Sequence, residues 1–184
     1  MIDVARAGED ASDQALIERW RAGDERAATA LVERHAAALA RFAASLGAWN
    51  EVDELVQDTF VRAFGSLDSF RHDASLRTWL FTILRRLLLD RRRAARRDRG
   101  AVPLEAAALA TEHGALDALL AGEAEARVRR AVQGLTRLQR EVFTLRVSEG
   151  ASYREIAEVL GTTEGAARVH YHNAVRAVKE ALDD

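Results

Sequence analysis

The chain of 184 residues has no cysteine, one proline and one lysine. Without cysteine there is no disulfide, no thiolate metal site and no cysteine nucleophile. No apolar run approaches the length of a membrane span. The opening MIDVARAGEDASD has no apolar centre of the kind a secretory leader needs. The expected compartment is therefore the cytoplasm, with no membrane insertion. Catalytic signatures are missing too: there is no H-E-x-x-H, no P-loop and no G-x-S-x-G. The carboxylates and the five histidines fall into no paired catalytic spacing, so no enzyme, metal site or cofactor is expected. His35 has no second ligand at i+3 or i+4 and reads as a packed histidine. The scarcity of lysine, with Lys179 alone among 27 basic residues, reads as coding bias and carries no functional information.

What is present is unevenly placed charge. The net charge of −2 argues against a nucleic-acid binder that is basic throughout. Yet eight arginines (85, 86, 91, 92, 93, 96, 97 and 99) crowd a short stretch against only Asp90 and Asp98, while the first 25 residues lean acidic. Such asymmetry points to a local anionic partner.

The most informative stretch is Ser152 to Tyr171, SYREIAEVLGTTEGAARVHY. Ser152 followed by Glu155 forms a capping box. The helix it opens carries Ile156, Ala157 and Leu160 on one face, and Gly161 ends it as a left-handed C-cap glycine would. Thr162 and Thr163 offer a second N-cap. Ala167, Tyr171, Ala174 and Val178 then recur at helical spacing. Two helices around a glycine turn, the second with a polar outer face, make a helix-turn-helix, whose second helix enters a DNA major groove.

The remaining pattern is all-α. Residues 1–12 read as a frayed tail. A first helix spans about Asp13 to Ala22 with Leu16, Ile17 and Trp20 as its stripe. A second runs to about Leu46 with Ala27, Leu31, Leu39 and Phe42 inward. The third, Glu51 to Phe64, turns Leu55, Val56, Thr59 and Phe60 inward and Glu51, Glu54, Gln57, Asp58 and Arg62 outward; spacing alone reads that outer face as solvated. After the loop Gly65–Ala74, Ser75 caps a fourth helix reaching at least Arg93. Its apolar residues exceed one stripe, and its arginines exceed what a helix dipole uses at its C-terminus, which favours contact with backbone phosphate. The segment 98–122 holds Pro103 and several glycines and reads as a flexible linker. Residues 13–97 and 123–184 are thus expected as two small helical domains. In the second, helices run from about Ala124 to Gln133 and from a Thr136/Gln139 capping box through Val147, with Glu149-Gly150 turning the chain into the helix-turn-helix.

These features together resemble bacterial sigma factors of the sigma-70 family, in the short two-domain extracytoplasmic-function group. The matching residues are LTRLQREVFTLRVSEGAS at 135–152 with Tyr153-Arg154-Glu155-Ile156-Ala157 and Leu160-Gly161, the helix Asp53 to Phe64, and Trp79-Leu80, Ile83, Arg85 and Asp90. The resemblance implies roles. Asp53, Glu54, Gln57 and Asp58 would dock on core RNA polymerase. Ser69, Phe70, Trp79, Arg85, Arg86, Asp90 and Arg91 would meet the −10 element and its melted strand. Arg140, Arg154, Glu164, Gly165, Arg168, Val169 and His172 would face the double-stranded −35 element. An anti-sigma protein is an implied partner. Arg86 stands where many relatives carry asparagine, His170 and Asn173 where many carry arginine, and Thr136 where proline is usual. The competing reading, a free-standing helix-turn-helix regulator with a helical sensor domain, leaves the acidic face of the third helix and the arginine-rich end of the fourth without a task.

Overall fold

The computed structural model describes residues 2–71, 73–98 and 123–183. Among them every regular element is helical. The helices are α1 (Ile2–Arg21), α2 (Glu25–Ser45), α3 (Val52–Gly65), α4 (Leu76–Asp98), α5 (Glu123–Gln133), α6 (Arg137–Phe143), α7 (Tyr153–Leu160) and α8 (Glu164–Asp183). The segment expected as a linker lies almost wholly outside the described residues.

Local chemistry sets most boundaries. The Asp24 carboxylate accepts the Arg26 amide at 3.0 Å and opens α2. Ser75 Oγ accepts the Thr78 amide at 3.1 Å at the start of α4. Ser152 Oγ accepts the Glu155 amide at 3.2 Å, and the Glu155 carboxylate accepts the Ser152 amide at 2.7 Å, so the capping box of α7 is closed from both sides. Gly161 then takes φ 63°, and Thr163 Oγ1 accepts the Ala166 amide at 3.1 Å to start α8.

Two expectations change. The residues read as a frayed tail belong to α1, which begins at Ile2. No proline separates them from Asp13, Gly8 stays within the helix, and Asp13 itself is buried, holding Arg34 at 2.5 Å and His35 at 2.9 Å on α2. The helix expected through Val147 is α-helical only to Phe143. From Thr144 to Ser148 it widens into a π turn, closed by the Glu149 amide on the Thr144 carbonyl at 3.2 Å. An added residue of this kind re-aims the side chains that follow it.

α1 to α4 form an N-terminal bundle, with α3 packed along α4 and α2 against both. Phe42, Leu55, Leu80 and Leu84 are fully buried at its centre. α5 to α8 form the C-terminal body, in which α8 lies against α5, α6 and α7. The halves are not apart: α4 packs on α7, and Val142, Leu145, Ile156 and Leu160 join the core of the N-terminal bundle in one apolar cluster. A smaller cluster, Ala131, Leu135, Ala174 and Val178, holds α5 to α8.

Candidate nucleic-acid interface

α8 presents the clearest surface. Ala167, Ala174 and Val178 bury one side of it. Glu164, Gly165, Arg168, Val169 and His172 all lie on the exposed side. Val169 is 59% exposed, an apolar side chain with no core to serve and of a size that contacts thymine methyl groups. The Arg168 guanidinium lies 5.1 Å from the centre of the Tyr153 ring, and that of Arg146 lies 4.9 Å from it. Tyr153 also meets Tyr171 edge-on at 6.1 Å. Arg168 is thus held on α8 by a ring from α7, which reduces the side-chain freedom lost when it engages a ligand. Arg154 is exposed and lines a cleft at the seam between the halves with Phe70, Asp73 and Ser75.

Arg140 was expected to touch phosphate, and its geometry argues otherwise. Its guanidinium donates to the carbonyls of Val132, Gln133 and Leu135. Those carbonyls belong to the C-terminal end of α5 and the turn after it, where the last helical oxygens lack intrahelical donors. Burial lowers the pKa of Arg140. Its contacts are those of a structural cap.

The acidic face of α3 is as expected, with Asp53, Glu54 and Gln57 exposed and Asp58 half-buried. One arginine complicates it. Arg91, assigned to −10 DNA, reaches back across from α4 to Glu51 at 3.2 Å, Glu54 at 3.0 Å and Asp58 at 2.6 Å. Burial works against its charge, but Asp58 and Glu51 outweigh that and raise its pKa. The reason is register: α3 and α4 pack side by side, and Arg91 faces the row Glu51, Glu54, Asp58 at helical spacing. Its neighbour Arg92 donates to the Leu46 carbonyl at the end of α2 and has its pKa lowered by burial. Arg93 pairs with Asp90 at 3.3 Å. Of the arginine run, Arg86, Arg96 and Arg97 remain as exposed cations on α4.

The loop before α4 is anchored rather than open. Phe70 is buried, with its ring 5.0 Å from that of Trp79, and Arg21 donates to the Leu67 carbonyl at 3.0 Å. Ser69 is exposed, with Oγ donating to the Ser66 carbonyl at 2.7 Å.

Sequence reasoning missed two buried glutamates and the arginines Arg41, Arg77 and Arg137 that pair with them. Glu149 has 0% side-chain exposure and receives Arg41 from α2 and Arg77 from α4. Glu141 has 1% exposure and receives Arg85 from α4 at 3.1 Å and Arg137 at 2.7 Å. Arg41 binds Glu149 through two nitrogens, at 2.8 and 3.1 Å, and that hydrogen bonding raises its pKa. A signal for the glutamates exists: Leu138, Val142 and Leu145 make a stripe on which positions 141 and 149 also fall.

Residues 31–98 match the family described as Sigma-70 region 2, and residues 125–178 match Sigma-70, region 4. The ECF RNA polymerase sigma-E factor of Escherichia coli K12 is 31% identical over 185 residues, spanning 96% of this chain and 95% of that protein. The ECF RNA polymerase sigma factor EcfG of Rhodopseudomonas palustris is 34% identical over 139 residues, 74% of this chain and 75% of that protein. Among solved structures, CnrH in complex with the cytosolic domain of CnrY superposes with TM-score 0.67 at 32% identity, covering 94% of this chain and 97% of that one. The sigma factor RpoE of Bartonella quintana, bound to the anti-sigma factor NepR, gives 0.65 at 28%, covering 84% and 96%. Two region matches in this order, and a relative 31% identical across nearly the full length of both proteins, place the chain in the extracytoplasmic-function group of the sigma-70 family of RNA polymerase sigma factors.

Proposed function

We propose that this chain binds core RNA polymerase through α3 and directs it to promoters, reading a −35 element with α8 and a −10 element with α4 and the loop before it. The observation that carries the reading is a pair of chemically distinct faces on one chain. One is the acidic row of α3. The other is the exposed face of α8, which follows a capped, glycine-turned α7. A free-standing regulator has use for the second face alone. The complex of one structural neighbour, RpoE of Bartonella quintana, with an anti-sigma factor supports a protein antagonist for this chain as well.

Docking is tested on Asp53 and Gln57, which stand outside the Arg91 network. Asp53→Arg with Gln57→Ala is expected to lower retention of core polymerase while leaving far-UV circular dichroism unchanged; full retention would sink the docking assignment. Specific initiation is tested by transcription of a genomic fragment library with core polymerase plus the chain. Transcripts that core polymerase alone does not make are expected, and their absence would overturn the reading.

A further inference from the structure

In the closed molecule the C-terminal half holds the arginines that face it from the N-terminal half. Glu149 lies between Arg41 and Arg77, and Glu141 takes Arg85. Arg77 and Arg85 are eight residues apart on α4, two turns along one face. Both glutamates come from one stripe around the π turn, so a single rigid edge supplies both anions. A third polar link, Thr78 Oγ1 to Glu155 at 3.1 Å, ties α4 to the start of α7.

The chemistry of this seam matches the chemistry of a nucleic-acid backbone. A carboxylate presents two oxygens to a guanidinium much as a phosphate does, and arginine takes either as a fork. The fit is incomplete on the arginine side, because Arg77 Nε is buried with no hydrogen-bond partner among the described residues.

We infer that Glu141 and Glu149 act as internal substitutes for DNA phosphate: they hold Arg41, Arg77 and Arg85 in a closed chain, and the same arginines contact the backbone of DNA once the halves separate. The partner class is a polyanionic nucleic-acid strand, and the device is competition between it and two carboxylates. Ligand and carboxylates bind different states of one equilibrium, so weakening the carboxylates raises apparent DNA affinity by the population they release. The inference rests on the reading that α4 faces promoter DNA.

The absence of cysteine makes the test direct. Arg62→Cys on α3 and Lys179→Cys on α8, both exposed, accept a donor and acceptor dye pair. In the full chain, Glu141→Gln with Glu149→Gln is expected to lengthen the dye distance. It should also tighten binding to a non-specific single strand and to a non-specific duplex by roughly tenfold or more. Arg41→Ala with Arg77→Ala is expected to lengthen the distance equally without tightening binding. An unchanged distance in both variants overturns the inference. So does DNA binding by the arginine variant as tight as that of the glutamine variant, since the arginines would then hold only the seam. Opening and tighter binding with no transcription by added core polymerase upholds the inference and sinks the polymerase reading.

Discussion

At the scale of single residues, arginines with similar sequence settings do different work, and their partners decide which. Arg168 stands on an exposed helix face beside an aromatic ring. Arg168→Ala is expected to lose discrimination at one −35 base pair by about 1–3 kcal/mol, measured by competition between single-base variants. Equal loss on every sequence would instead identify a phosphate contact. Arg140 is the opposite case. Arg140→Ala removes three carbonyl contacts and is expected to destabilise the C-terminal half by about 1–3 kcal/mol in urea unfolding. The salt dependence of duplex binding should not change. Nothing in the local sequence separates these two arginines; the difference lies in the end of α5 that Arg140 packs against.

At the scale of elements, the helices were legible because their signals are local. Capping residues, glycines and apolar stripes act within a turn or two of where they stand, so Ser75, Ser152 and Gly161 announced their boundaries. Gly161→Ala is expected to cost about 1–2 kcal/mol. The cause is backbone alone, since an added Cβ meets nothing within 4 Å at φ +63°; thermal unfolding of the variant checks the size. Less legible was what joins elements. Arg41 and Glu149 are 108 residues apart in the chain, and no periodicity connects them. The buried glutamates were hidden for a related reason, because a charge on an apolar stripe reads as an exception until its counter-ions are located. The partners of Arg91 were hidden in the same way: the acids it pairs with in the free chain lie 33 to 40 residues away in sequence. Glu51→Gln, Glu54→Gln and Asp58→Asn together release Arg91. Non-specific DNA binding by the free chain is then expected to strengthen, with a salt slope steeper by about one; an unchanged slope would show that Arg91 does not reach phosphate.

At the scale of the molecule, two family regions share one apolar cluster and a set of ion pairs across their seam. Scattering from the free chain is therefore expected to give a radius of gyration nearer to the roughly 16 Å of a one-body globule of this length than to that of two separated bodies. The double glutamine variant should be larger. A free chain already as extended as that variant would show that the halves do not stay together in solution.

Arg91 is shared among three acids, Glu54 and Asp58 on α3 and Glu51 just before it. A basic surface that claims those acids leaves its guanidinium unattended, at the edge where α4 turns cationic. On the proposed docking, capture by the enzyme would thus arm the chain for the template: one event would withdraw negative charge from view and expose positive charge beside it.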